Sequence, residues 1–161
     1  MAESSVFKIA LLQTQVLDNV DDNLTSCAGM VENAKLQGAD IAVLPEMFCC
    51  PYNNVSFVKN AEKKGDRIYT ALSKMAKDNN IILVGGSMPE RDGDKLFNTC
   101  FVFDNKGKQI ARHCTKQTAT MVNSVMASSF GLNLPSKGLN CGRSALAARF
   151  FSFFSIFTAF I

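Results

Sequence analysis

Up to position 113 the apolar residues come in two kinds of run. Short continuous runs at 6–14 (VFKIALLQT), 39–44 (ADIAVL) and 81–85 (IILVG) predict buried strands. Between them, Leu24, Cys27, Ala28, Val31, Ala34 and Leu36 recur near helical spacing and predict a helix over 22–37. Asp21 or Asp22 is the expected cap and Gly38 the expected stop. Ile68, Leu72, Met75 and Ala76 predict a second helix over 65–79. The segments 95–103 and 108–113 alternate as strands do, and the turn DNKG at 104–107 joins them into a hairpin. Strand, helix, strand, helix, strand is the order of parallel crossovers, so the expected class is α/β with an appended hairpin.

After His113 this pattern is lost. Residues 118–130 have no clear period, 131–142 have loop composition with Pro135 and three glycines, and 144–161 (SALAARFFSFFSIFTAFI) are strongly apolar. The run after Arg149 is too short to span a bilayer as a helix. It reads as an apolar tail with no evolved partner, prone to aggregate. A membrane-surface helix is disfavoured because no polar face is evident.

Charge changes at the same place. The first 113 residues carry 13 basic and 14 acidic side chains, whereas the last 48 carry four basic and none acidic. Seven of the 13 phenylalanines fall after position 129. The boundary predicts two parts: 6–113, a folded unit, and 114–161, a divergent tail. Over all 161 residues the composition is 47% hydrophobic, enough for a packed core, and the net charge of +3 is too mild to argue for nucleic acid. A single histidine excludes a multi-histidine metal centre. The six cysteines form no CxxC pair, and the first residues lack a basic region followed by an apolar stretch. Both features predict a reducing, cytoplasmic setting without disulfides.

Three segments carry candidate chemistry. In LPEMF (44–48) a carboxylate follows a buried parallel strand, where α/β folds place their sites, and Pro45 stiffens the turn that aims Glu46. A carboxylate among apolar neighbours suits a general base. In VGGSMPE (84–90) two glycines after a strand allow a close backbone approach or present N–H groups to an anion. Neither GxGxxG nor GxxxxGK[ST] is present, so a nucleotide site is poorly supported. The hairpin KLFNTCFVFDNKGKQIAR (95–112) implies no chemistry by itself.

Together and in order, KIALLQTQV, GADIAVLPEMF, the Pro51–Tyr52 pair, GGSMPER and FNTCFVFDNKGKQIAR resemble the nitrilase superfamily of carbon–nitrogen hydrolases, with the order and spacing of its omega-amidase-like branch. The resemblance covers about residues 6–113. It implies a four-layer α-β-β-α sandwich, of which this chain would hold the N-terminal part, with an apolar sheet face left uncovered. It also implies a cysteine–glutamate–lysine hydrolase that forms a thioester from a small amide and needs no metal or organic cofactor. Glu46 matches the family's general base, and Glu90 matches a second glutamate that supports the site. The family commonly forms dimers.

The chain then departs from that pattern. The slot of the family lysine, which stabilises the oxyanion, is Thr115; Lys116 stands one position late, and one step along a strand reverses the face. A bulge would be needed to bring it back. No segment resembles the CYD pattern that carries the family's nucleophile. Cys141 has a vaguely similar setting, Cys27 and Cys100 read as core, and Cys49 and Cys50 follow the glutamate loop, more as packed or free thiols than as nucleophiles. A shifted reading frame, a retained intron or an alternative exon would produce such a tail. The expected function is therefore an omega-amidase-like lineage acting on small amides, in a truncated form without turnover. The alternative is a non-catalytic chain that is inert, or that forms a homo- or heterodimer with full-length family members. No specific membrane partner is expected.

Overall fold

The computed structural model describes residues 7–116. Six strands and three helices follow one another as β1 (Ile9–Leu11), α1 (Val20–Leu36), β2 (Ile41–Val43), α2 (Asn54–Asn60), α3 (Arg67–Asp78), β3 (Ile82–Val84), β4 (Met88–Asp92), β5 (Lys95–Phe103) and β6 (Gln109–Lys116). The expected helices are α1 and α3. The start of α1 lies earlier than expected: Asn19, not an aspartate, caps it by accepting the Asp21 N–H at 2.8 Å. Gly38 ends it in the left-handed region (φ +83°), a conformation that costs other residues energy. Two elements escape the sequence pattern, the short helix α2 and the strand β4.

β1, β2 and β3 run parallel, with Ile9, Ile41 and Ile82 in register and Leu11, Val43 and Val84 in register. The chain returns between them through helices, as parallel pairing requires. β3 then pairs antiparallel with the end of β5, and β4 with its beginning. β6 pairs with β5 across Phe97–Phe103, which takes up the other edge. β3 and β4 therefore share one edge of β5, and residues 85–87 between them form a break in that edge. β6 continues the sheet to Lys116, past the point where the charge pattern changes.

Alternation gives the sheet two faces. Ala42, Leu83, Phe101 and Phe103 face α1 and α3 and join Leu24, Cys27, Val31, Leu72 and Met75 in the main core. Ile68, Leu72, Met75 and Ala76 of α3 are all buried, as their spacing predicts. On the opposite face Val43, Val84 and Cys100 form a second cluster flanked by Ile41 and Val102. Ile9 and Leu11 extend that apolar face and stay exposed.

Candidate active site

The site begins where β2 ends. Leu44 N–H still bonds to Val84 O at 3.0 Å, and Pro45, with no N–H, stops the ladder. The chain turns sharply at Met47 (φ +50°), a conformation uncommon for a side-chain-bearing residue. Two features hold that turn. Met47 and Phe48 are fully buried, and the break between β3 and β4 straps the loop from beneath. Ser87 N–H donates to Pro45 O at 3.3 Å, and Met47 N–H donates to Ser87 Oγ at 3.0 Å. Gly86 makes this contact possible. A Cβ there would stand 2.1 Å from Pro45 O, and its φ of +60° also favours glycine. The close approach expected of the paired glycines is thus an approach to the loop that carries Glu46.

Glu46 is half-buried at the apex. Its Oε1 accepts from Asn98 Nδ2 at 2.7 Å and from the Tyr52 hydroxyl at a longer 3.4 Å. Among the described residues, no hydrogen bond reaches Oε2. Asn98 belongs to β5 and is buried, with 9% of its surface exposed. Its Oδ1 is closed off from water and has no hydrogen-bond partner among the described residues. The Tyr52 ring meets Phe57 of α2 edge-on at 5.2 Å. Burial, and then the neighbouring Glu46 carboxylate, push the Tyr52 phenol up to about 12.

Glu90 occupies a different place. It is buried on β4, its Oε2 accepts from Arg112 Nη2 at 2.7 Å, and its backbone bridges to Glu62. It pairs with Phe97, the neighbour of Asn98, so alternation puts it on the other side of the sheet from the Asn98 side chain. On β6 the position opposite Asn98 is Thr115, whereas Lys116 closes the strand opposite Phe97. The register irregularity of this pair falls between Val102 and Phe103, at the far end from Thr115. Position 115, not 116, therefore shares a face with Asn98.

Among the described residues, Cys27, Cys49, Cys50 and Cys100 are buried free thiols. Burial pushes Cys27 and Cys100 up to about 12. The hydrogen bond with Cys50, followed by burial, raises Cys49, and the same bond holds Cys50 below its ordinary value. Both members of that pair are completely buried. Cys141 lies outside the described residues. No cluster of histidine, cysteine and carboxylate side chains among the described residues is arranged to hold a metal ion.

The site thus centres on a strand-end glutamate strapped by a Gly-Gly-Ser break and held by an asparagine of the following hairpin. The family model for carbon-nitrogen hydrolases matches residues 8–134. The chain belongs to the carbon-nitrogen hydrolase family. That match runs past residue 113, where the sequence pattern breaks. The chain is 44% identical to the omega-amidase NIT2 of Mus musculus over 68% of its own length and 40% of that protein's, and 41% identical to the Homo sapiens protein over 66% and 39%. It thus spans about two fifths of the length of these curated relatives. Among solved structures, Saccharomyces cerevisiae Nit3, a member of branch 10 of the nitrilase superfamily, superposes with a TM-score of 0.63. That protein is 33% identical, and the match covers 68% of this chain and 44% of the other. An amidase from Nesterenkonia sp. shares the fold at 23% identity and a TM-score of 0.57, over 66% and 41% of the two chains. This carbon-nitrogen hydrolase chain therefore carries part of the nitrilase-type α/β fold, in the omega-amidase-like lineage. No helix among the described residues is long and apolar enough to cross a membrane.

Two residues of the site were not singled out from the sequence. Asn98 and Thr99 are a polar pair inside the apolar strand KLFNTCFVF, which marks a position where a buried side chain needs a partner. Tyr52 stood only as half of the Pro51–Tyr52 pair.

Proposed function

We propose that this chain carries the base-bearing part of an omega-amidase-like hydrolase and does not turn over amides by itself. Glu46 is the general base. The single observation that carries this assignment is its Oε1, held by Asn98 from across the sheet, which leaves the other oxygen to take a proton. Glu90 supports the site indirectly, because its ion pair with Arg112 ties β4 to β6, the strands that flank the Asn98 strand. Lys116 stands at the register position of the opposite face.

The missing component is the thiolate. An amidase of this kind needs a cysteine whose proton a base can remove beside the bound carbonyl. The sequence has no CYD segment, the surroundings of Cys27, Cys49 and Cys100 favour the thiol form, and Cys50, which its hydrogen bond with Cys49 holds below the ordinary value, is completely buried. The functional unit extends past residue 113, since β6 runs to Lys116 and the family match to residue 134, and its setting is cytoplasmic. The substrate class of the lineage is the terminal amide of a small dicarboxylic monoamide, which this chain would meet only beside a subunit that supplies the nucleophile. The exposed Ile9 and Leu11 on an otherwise apolar sheet face support such pairing.

The test is ammonia release from a small dicarboxylic monoamide by the purified chain under thiol-protecting conditions. The expected result is no release above buffer. Release that Glu46→Gln abolishes would contradict the proposal and make the chain an amidase.

A further inference from the structure

The Glu46 and Asn98 side chains present acceptors that the described residues leave unused. Asn98 spends its Nδ2 on Glu46 Oε1, and its Oδ1, buried with the rest of the side chain, accepts nothing from them. Glu46 adds a carboxylate whose Oε2 also receives no hydrogen bond from them. A buried carbonyl without a donor is unusual enough to demand an explanation. An anion or a neutral acceptor would make this pair worse. A water donates to both acceptors but leaves the carboxylate charge unpaired, whereas a positive charge that carries several N–H donors satisfies both and neutralises it.

The fold shows from where the chain itself would supply such a group. Thr115 is the residue of β6 directly opposite Asn98, on the same face, and directly opposed side chains lie about 5 Å apart at Cβ. Its short side chain carries a hydroxyl and no charge. The register position of residue 116 belongs to the other face, that of Phe97 and Glu90.

We infer that the Glu46–Asn98 pair is a receptor for ammonium or a small primary alkylammonium ion taken from solution. The inference rests on the reading of Glu46 as the working carboxylate of the site. The ion bridges Glu46 and Asn98 Oδ1 through its N–H groups, beside Thr115. Oδ1 is closed to water in the present arrangement, so binding includes a displacement of the side chains that cover it. Charge alone does not suffice: a quaternary ammonium has no N–H to offer and is excluded. Ammonium is also the product that amide hydrolysis liberates, so in an assembly that turns over amides the same pair would retain that product beside the base.

The test follows the Asn98 side-chain amide resonance of the 15N-labelled chain by NMR. Ammonium chloride, methylammonium chloride, tetramethylammonium chloride and sodium chloride are titrated separately at constant ionic strength. The first two are expected to shift that resonance saturably, and the last two are not. Glu46→Gln should weaken the ammonium response by at least about tenfold, a modest loss for a partly buried charge-assisted contact. Thr115→Lys should abolish it by placing the chain's own ammonium group in the site. No saturable shift in the wild-type chain, or an equal shift with tetramethylammonium, overturns the inference. Ammonium binding without ammonia release in the amidase assay upholds both this inference and the proposed function. Ammonia release without ammonium binding contradicts both, and binding together with release contradicts only the proposed function.

Discussion

Asn98 Nδ2 donates to Glu46 Oε1 at 2.7 Å across fifty-two positions of sequence, and this bond joins the two halves of the site. One partner lies on the loop after a parallel strand, and the other in the middle of the hairpin that follows. Removing the amide with Asn98→Ala should cost about 1–2 kcal/mol in urea unfolding, since a charge-assisted bond is lost while an unpaired carbonyl is also removed. Asn98→Asp should cost more, because it sets a second carboxylate against the first. That excess should be larger at pH 8 than at pH 4, where one of the two can hold a proton.

Gly86 tests whether the strap beneath the glutamate loop matters. A methyl group there would stand 2.1 Å from Pro45 O at a φ of +60°, so Gly86→Ala should destabilise by more than about 3 kcal/mol. Gly38 also has positive φ but meets nothing within 4 Å. Gly38→Ala should therefore cost only about 1 kcal/mol. Equal losses in thermal unfolding would mean that conformation, not contact with Pro45, governs Gly86.

The Glu90–Arg112 pair is buried on the Glu90 side, with that side chain only 4% exposed. Arg112→Ala should strand a carboxylate in the core and cost about 3–5 kcal/mol. Replacing both partners together with Glu90→Gln should recover part of that loss, which a double-mutant cycle by urea unfolding measures.

Tyr52 reports on the environment around Glu46. With the phenol raised to about 12 from its ordinary 10, the folded state holds this proton more tightly than the unfolded state. Its contribution to stability is complete below pH 10 and is lost as pH rises from 10 toward 12. In a Tyr69→Phe background, ultraviolet titration should show the remaining phenol ionising well above 10. Burial is the larger cause, so Glu46→Gln should lower that midpoint only in part.

The fold was largely legible because its core elements are dense in apolar residues with clear periods. Ala39–Leu44 and Ile81–Gly85 announce buried parallel strands, and Leu72, Met75 and Ala76 announce a packed helix face. β4 escaped because MPERD looks like a polar turn; its strand conformation comes from pairing with β5 rather than from its own composition. α2 escaped because it is a single short stretch whose cap, Asn53, accepts the Ser56 N–H without an apolar period to follow. In the site, Glu46 was visible as a carboxylate at a strand end. Asn98 was not, because alternation alone does not say which partner a buried amide meets across two strands. The separation of Thr115 from Lys116 needed the observed register, since a bulge near residue 115 would have exchanged their faces.

On the proposed function, the chain holds a prepared base without a nucleophile beside it. Intact-protein mass spectrometry after incubation with a small dicarboxylic monoamide tests this most directly, with quenching in acid to preserve any thioester. The expected result is only the unmodified mass, in the wild-type chain and in Glu46→Gln alike. A mass increase by one acyl group, located on a cysteine and absent from Glu46→Gln, would contradict it.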